Sequence, residues 1–272
     1  MLGSPVRHSL SPLLHRTAYD VLGLQDWTYD AYDVDGAGLA GFLAGLDESW
    51  AGLSLTMPLK ADVLPLLDSS TDLVQAVGAA NTVLLRRDGR HGENTDVPGM
   101  VAALHEQGVD AVGQAFVLGG GATAASALAV LRQLGESAPT VLVRDRGTAA
   151  RVERAADRLG VHPRLQVWAE ADLAAVAAAD LVVSTTPAGS TDELAARLPT
   201  TVRGLLFDVV YDPWPTTLAT AWRRRGGRVL GGLDLLVHQA VLQVELMVGR
   251  PVDAPALVPM LRTAGSGALR AP

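Results

Sequence analysis

The chain has 272 residues, 49% apolar and 19% charged, with a formal charge of −7, an isoelectric point near 5.3 and a mean hydropathy of +0.23. That length and apolar content suit a folded protein of two ordinary domains and exclude a disordered chain. The acidic balance excludes a nucleic-acid coat, because the longest basic run is Arg223-Arg224-Arg225 before Gly226-Gly227, read as a helix C-terminus where cations meet the negative end of the dipole. There is no cysteine, which removes disulfides and thiolate metal sites, and no close cluster of His and carboxylate suggests a metal. The opening MLGSPVRHS lacks an export signal and no apolar run is long enough to span a bilayer, so a soluble, cytoplasmic protein without membrane or nucleic-acid partners is expected.

From Ser11 to Leu22 the apolar positions Leu13, Leu14, Ala18, Val21 and Leu22 recur at helical spacing behind a Ser-Pro start, which predicts a helix beginning at Ser11 or Pro12 with the serine as cap. Trp27 to Val34 and Gly52 to Met57 are β-rich stretches that end at Gly or Pro, and each reads as a strand. Leu39 to Leu46, between them, reads as a helix. Thr82 to Leu85 and Arg90 to Glu93 flank Arg87-Asp88-Gly89, a hairpin signal.

From Ala115 the pattern changes to apolar strands alternating with amphipathic helices. Strands are expected at Ala115–Leu118, Thr140–Arg144, Leu165–Val167, Leu181–Thr185, Gly204–Val209 and Arg228–Leu230. Helices run between them to Leu134, Leu159, Ala178 and Arg225. Such repetition predicts a parallel, doubly wound sheet. A last helix, Gly232 to Val248, follows, and the Gly/Ala/Ser-rich tail from Thr263 has little to bury. Because that helix comes after the wound sheet, it is expected to return to the first domain.

Phe116-Val117-Leu118-Gly119-Gly120-Gly121-Ala122 runs from apolar strand into small-residue helix. Glycines there let the backbone turn tightly and approach a pyrophosphate, whose charge meets the free N–H groups of the helix start, and the small Ala125 lets helix and strand close up. A G-x-G alone also suits a plain turn; its place in a series of strand-helix units favours a dinucleotide. Cofactor choice is read at the end of the next strand, Arg144-Asp145-Arg146. Acid there favours the ribose diol of NAD, and arginine the 2′-phosphate of NADP. Two arginines, with Arg151 a helical turn on, favour NADP, and NAD remains the alternative.

The first hundred residues hold four polar clusters: Ser9 and Ser11, Thr56 to Lys60, Asn81-Thr82, and Asn94-Thr95-Asp96. Hydroxyls, amides, one ammonium and one carboxylate suit a small polyhydroxylated acid. Taken singly each has a structural explanation: Ser11 as helix cap, Lys60 as solvated, Asn81 as a turn residue, Asp96 as a loop carboxylate.

In order along the chain, Gly3-Ser-Pro-Val-Arg-His-Ser-Leu-Ser-Pro-Leu-Leu-His15, Leu55-Thr-Met-Pro-Leu-Lys60, Gly78-Ala-Ala-Asn-Thr82, Gly92-Glu-Asn-Thr-Asp96-Val-Pro-Gly99, the glycine loop, Asp208-Val-Val-Tyr211-Asp-Pro-Trp-Pro-Thr216 and Gly232-Leu-Asp-Leu-Leu-Val-His-Gln239 together resemble the shikimate dehydrogenase family. The resemblance implies an α/β protein of two domains. Residues 1–98 plus 235–272 would form the substrate-binding catalytic domain and 99–234 a Rossmann-type dinucleotide domain.

It further implies reversible NADP-dependent reduction of 3-dehydroshikimate, with Lys60 and Asp96 as the catalytic pair. Ser9, Ser11 and Tyr211 would hold the substrate carboxylate, and Thr56, Asn81 and Gln239 its hydroxyls. Gly119, Gly120, Gly121, Ala122, Arg144, Asp145, Arg146, Thr185 and Gly232 would line the cofactor. Ketone reduction needs a proton on oxygen as the hydride reaches carbon, and Lys60 can supply it while Asp96 fixes its position. The alternatives are an NAD-dependent paralogue acting on quinate or aminoshikimate, and a non-catalytic NADP-binding regulatory protein. A monomer or homodimer is expected.

The chain departs from the family pattern in several places. Only Met1 and Leu2 precede Gly3 where the family has a full strand, so either the first strand is nearly absent or the start lies upstream. The family's Asn-Arg-Thr is replaced by Arg144-Asp145-Arg146. Ser54 and Gly231 stand where Asn is common, and Arg16 follows His15 where Asn is usual.

Overall fold

In the computed structural model, which describes residues 1–270, the chain forms two compact units: Met1–Gly99 with the stretch from Leu236 onward, and Met100–Leu235. In chain order the elements are β1 (Leu2–Gly3), α1 (Ser11–Leu22), β2 (Tyr32–Asp33), α2 (Gly36–Ala44), β3 (Gly52–Ser54), α3 (Leu59–Asp62), β4 (Ser69–Ser70), α4 (Asp72–Val77), β5 (Thr82–Arg86), β6 (Gly89–Glu93) and α5 (Asp96–Glu106). There follow β7 (Ala115–Leu118), α6 (Ala122–Gln133), β8 (Thr140–Val143), α7 (Ala150–Leu159), β9 (Arg164–Val167), α8 (Leu173–Ala178), β10 (Leu181–Ser184), α9 (Asp192–Arg197), β11 (Leu205–Asp208), α10 (Thr217–Arg224) and β12 (Arg228–Gly231). Helices α11 (Gly232–Val248) and α12 (Ala254–Ala268) complete the chain. Among the described residues no helix is long and apolar enough to cross a membrane.

The second unit is built on a six-stranded sheet in the order β12-β11-β10-β7-β8-β9, every pair parallel. Strands β7, β10 and β11 are buried at every residue. Helices cover both faces of such a sheet, so its central strands read as continuous apolar runs rather than alternating ones. Order reverses between β7 and β10, and ligands bind α/β sheets at that switch point, beyond the carboxyl ends of the strands. In α7, Val152, Ala155, Ala156 and Leu159 are buried, the i, i+3, i+4, i+7 stripe of a helix lying on a sheet. Phe116, Leu118, Leu142, Val182, Leu206 and Trp222 belong to one apolar cluster of this unit.

In the first unit β3-β5-β6-β4 form a mixed four-stranded sheet, and β1 pairs with β2 in a separate parallel pair. The hairpin β5–β6 turns at Arg86–Gly89, where Gly89 takes φ +130°, a conformation that glycine adopts at little cost. Leu2 bridges Leu55. The Thr56 N–H donates to the Leu2 carbonyl at 2.9 Å and the Ser4 N–H to the Met57 carbonyl at 3.0 Å. Gly3 is required by this contact, because a Cβ there would lie 2.2 Å from Thr56 Cγ2.

Two expectations need correcting. The strand expected over Trp27–Val34 contracts to Tyr32–Asp33. Its aromatic residues pack on α1 instead, Trp27 lying 5.6 Å from Tyr19 and Tyr29 stacked on His15 at 3.9 Å between ring centroids. Helix α1 does begin at Ser11, but Leu10 occupies the cap position and no side chain caps from there; the Ser9 hydroxyl accepts the Ser11 N–H at 3.2 Å. The small-residue tail from Thr263 does bury little, Gly265 being its one buried residue among those described, yet it continues α12 as helix to Ala268. Small side chains that look like loop composition allow close helix approach, and α12 packs on α1. Residues 271 and 272 of that tail lie outside the described residues.

His15 is fully buried and its Nδ1 lies 2.9 Å from the Ser11 carbonyl. A carbonyl only accepts, so Nδ1 carries the hydrogen of a neutral ring. Burial, the largest cause, lowers its pKa from 6.5 to about 3. Above the ordinary value both folded and unfolded states hold a neutral ring, and the stability due to this group is complete. As pH falls toward the folded value, the unfolded chain takes up a proton that the folded one refuses, and stability drops by up to about 1.4 kcal/mol per pH unit. Urea unfolding at pH 7.5 and 5.5 should therefore show the wild type losing roughly 1 kcal/mol more than His15→Phe; equal losses would show that His15 titrates normally in the fold.

Candidate active site

Lys60 lies in α3 and its carbonyl accepts the Ala80 N–H at 2.7 Å, which ties this short helix to the chain leading into β5. Its Nζ donates to Asp96 Oδ2 at 2.5 Å, with 14% and 3% of the two side chains exposed. Asp96 is the first residue of α5; the Asn94 side-chain oxygen accepts the Val97 N–H at 3.1 Å and so caps this helix. A carboxylate at a helix start also meets the positive end of the dipole. A charge pair this buried loses much of its solvation, so it persists only where geometry and further hydrogen bonds compensate.

That compensation comes from Asn81, 1% exposed. Its Nδ2 lies 2.9 Å from Asp96 Oδ1, 2.9 Å from Gln239 Oε1 and 2.8 Å from Thr95 Oγ1. Its Oδ1 accepts from the Thr95 N–H at 2.8 Å and the Thr82 hydroxyl at 3.0 Å. Gln239 turns its oxygen to Asn81, so its NH2 group is not spent on that amide.

Lys60, Asn81, Asp96 and Gln239 thus form one hydrogen-bonded group in the first unit. Thr56 is half-buried two residues beyond β3. Ser9 and Ser11 sit together at the start of α1, and no hydrogen bond among the described residues joins them to Lys60 or Asp96. The sequence reading passed over Thr95, which closes on both ends of the Asn81 amide, and Gln243. The signal for Gln243 was its spacing: it lies four residues after Gln239 on α11, hence on the same helical face.

In the second unit, Gly119 ends β7 with φ +118°, and a Cβ there would lie 2.6 Å from Thr185 Oγ1. Thr185 follows β10 and donates its hydroxyl to the Leu118 carbonyl at 2.8 Å. The two residues therefore flank the switch point. A Cβ on Gly120 would lie 2.5 Å from the Thr148 carbonyl, whereas one on Gly121 would meet nothing. The fold demands glycine at the first two positions but not at the third, where absence of a side chain leaves the backbone open to a ligand. Helix α6 begins at Ala122 with no side-chain cap. Bare N–H groups, a positive helix end and an unobstructed approach fit a pyrophosphate, and hence a dinucleotide.

Arg144, Asp145 and Arg146 are all exposed after β8. Asp145 Oδ1 accepts the Gly147 N–H at 2.8 Å, so one oxygen of this carboxylate caps its own turn while the arginines flank it. Gly232 is needed for packing, since a Cβ there would lie 2.0 Å from the Val209 carbonyl. Tyr211 is half-buried in the loop after β11. That loop is anchored by Asp208, whose pKa is raised chiefly by burial and which accepts the Thr216 hydroxyl at 2.6 Å.

Residues 1–83 match the model of the shikimate dehydrogenase substrate binding domain. The chain is 38% identical over 258 residues to the NADP(+) shikimate dehydrogenase of Oleidesulfovibrio alaskensis, covering 92% of this chain and 89% of that protein. Among solved structures it resembles shikimate dehydrogenase of Mycobacterium tuberculosis at 40% identity and TM-score 0.85, over 96% of this chain and 97% of that one. It also resembles the Thermus thermophilus enzyme in complex with NADP(H) and shikimate, at 32% identity and TM-score 0.81, over 97% of each chain. With relatives this similar along nearly its whole length, the chain belongs to the shikimate dehydrogenase family.

Proposed function

We propose that this protein interconverts 3-dehydroshikimate and shikimate with NADP(H), using Lys60 and Asp96 as its proton-handling pair. The observation that carries the reading is the buried Lys60–Asp96 contact at 2.5 Å, braced by Asn81 at 2.9 Å, in a chain whose curated relatives are named NADP-dependent shikimate dehydrogenases. When bound, the nicotinamide supplies or accepts the hydride.

The chain's own residues do the rest. Lys60 spends one of its three N–H donors on Asp96, leaving two for the substrate oxygen. As the ketone carbon is reduced, Lys60 passes a proton to the oxygen on which negative charge develops; in the oxidation direction the pair takes the hydroxyl proton back. Gln239 presents its amide to the neighbouring hydroxyls, with Thr56, while Asn81, engaged with Asp96, Gln239 and Thr95, orients the groups that meet them and Ser9 and Ser11 are assigned the carboxylate. Asp145 gives one carboxylate oxygen to Gly147 and stands between two exposed arginines. That leaves Arg144 and Arg146 for a 2′-phosphate and favours NADP over NAD. A cysteine-free chain suits the reducing cytoplasm, where we place the enzyme.

Initial rates with shikimate and quinate, each with NADP and NAD, test the reading. Shikimate with NADP should be turned over best, and a faster quinate or NAD reaction would reassign the substrate or cofactor. Lys60→Ala and Asp96→Asn should each lower kcat by about 10²–10⁴-fold with circular dichroism unchanged; near-normal turnover in either would remove that residue from the chemistry. For the cofactor, Arg144→Ala or Arg146→Ala should raise KM for NADP about tenfold or more and leave KM for NAD unaltered, through loss of a charge-assisted contact. Asp145→Ala should leave the NADP/NAD ratio within about threefold, and a large gain of NADP preference in that variant would show that Asp145 reads the ribose.

A further inference from the structure

Behind Asn81 runs a line of buried groups that no part of the proton chemistry touches. The Ser54 hydroxyl donates to Gln243 Oε1 at 2.9 Å. With its oxygen engaged, Gln243 turns its Nε2 to Thr82 Oγ1 at 2.9 Å and to the Asn81 carbonyl at 3.3 Å. The Thr82 hydroxyl has one hydrogen, and it goes to Asn81 Oδ1. The other end of that amide then meets Asp96 and Gln239. Ser54, Gln243, Thr82, Asn81 and Asp96 are each 5% exposed or less, so no bulk water can replace a lost partner, and an unsatisfied group there costs more than an exposed one.

The direction of these bonds matters more than their number. Side-chain amides have a donor end and an acceptor end, and which way each points is decided by its neighbours. A reversed Asn81 would set its oxygen against the Asp96 carboxylate and the Gln239 oxygen, which repels both. A reversed Gln243 would set its oxygen against the Asn81 backbone carbonyl, which only accepts, and take the Thr82 hydrogen away from Asn81. Ser54, at the head of the line, stands where the family commonly has Asn, so this chain supplies the donor from a hydroxyl.

We propose that Ser54 and Gln243 are positioning residues for the reaction: the one-way chain Ser54 → Gln243 → Thr82 → Asn81 → Asp96 fixes the amide end that Asn81 presents to Asp96 and Gln239. The inference rests on the reading of Lys60, Asp96, Asn81 and Gln239 as the shikimate site. Its effect is confined to the substrate half of the protein, because none of these residues lies in the glycine loop or after β8.

The test compares wild type with Gln243→Met, which keeps length and removes both polar ends, and with Ser54→Ala, which removes one oxygen. Shikimate binding is measured by calorimetry without cofactor, alongside kcat and KM for shikimate and NADP and the melting temperature. The expected result is shikimate affinity about tenfold weaker, lowered kcat and unchanged KM for NADP in folded protein. A merely structural role would lower the active fraction and hence kcat, with shikimate affinity and both KM values as in wild type, and that result overturns the proposal. If Gln243→Met does not fold, Ser54→Ala carries the same expectation and the same refutation. Wild-type protein that neither binds nor oxidises shikimate would overturn the functional reading itself, and the positioning role with it; wild-type binding with unaffected variants overturns the positioning role alone.

Discussion

Placing an ammonium and a carboxylate together inside a protein is costly in solvation, and the arrangement around Lys60 and Asp96 answers that cost. Asp96 opens a helix, so the backbone dipole favours its charge. Asn81 donates to its second oxygen, and Lys60, with more of its side chain exposed than Asp96, keeps donors free. The first unit can be understood as scaffolding for this pair. The Ala80 N–H on the Lys60 carbonyl joins α3 to the turn before β5 that carries Asn81, and Asn94 caps the helix that carries Asp96. Helix α11 brings Gln239 against the Asn81 side-chain amide and Gln243 against the Asn81 backbone carbonyl.

The second unit solves a different problem, that of bringing bare backbone to a charged ligand. Gly119 needs its φ, Gly120 needs to clear Thr148, and Gly121 needs neither. A fold-driven glycine and a ligand-driven one are separated by what a Cβ would touch, a distinction that the string Gly119-Gly120-Gly121 does not contain. The same applies to Gly232, whose packing against the Val209 carbonyl would keep it glycine with or without a ligand.

Much of the architecture was legible because it depends on local pattern. The apolar runs from Ala115 onward are central parallel strands, and buried strands announce themselves by continuous hydrophobicity. The elements that were misread are those whose form is decided by distant partners. Trp27 and Tyr29 have strand propensity, yet their rings find α1, and β1 offers β2 a partner for only two residues. The Gly and Ser residues after Thr263 carry little apolar surface to signal a helix, yet they continue α12, which packs on α1. At the site, Lys60 and Asp96 lie 36 positions apart, and nothing in their spacing links them; the ordered motifs did. The spacing from Gln239 marks the helical face of Gln243, but its bond to Ser54 was beyond reach because a hydrogen bond across 189 positions leaves no trace in either segment. Asp145 reads as an NAD-type acid by type alone, and its bond to Gly147 is visible only in the fold.

If Lys60 and Asp96 handle the proton as one unit, losing either should remove what the other contributes. The most direct measurement is a double-mutant cycle on kcat/KM for shikimate with NADP, comparing Lys60→Ala, Asp96→Asn and the double variant. A coupled pair predicts that the double variant is no slower than the slower single variant. Losses that multiply would mean that the two residues act independently, and the shared buried pair would not be the basis of the chemistry.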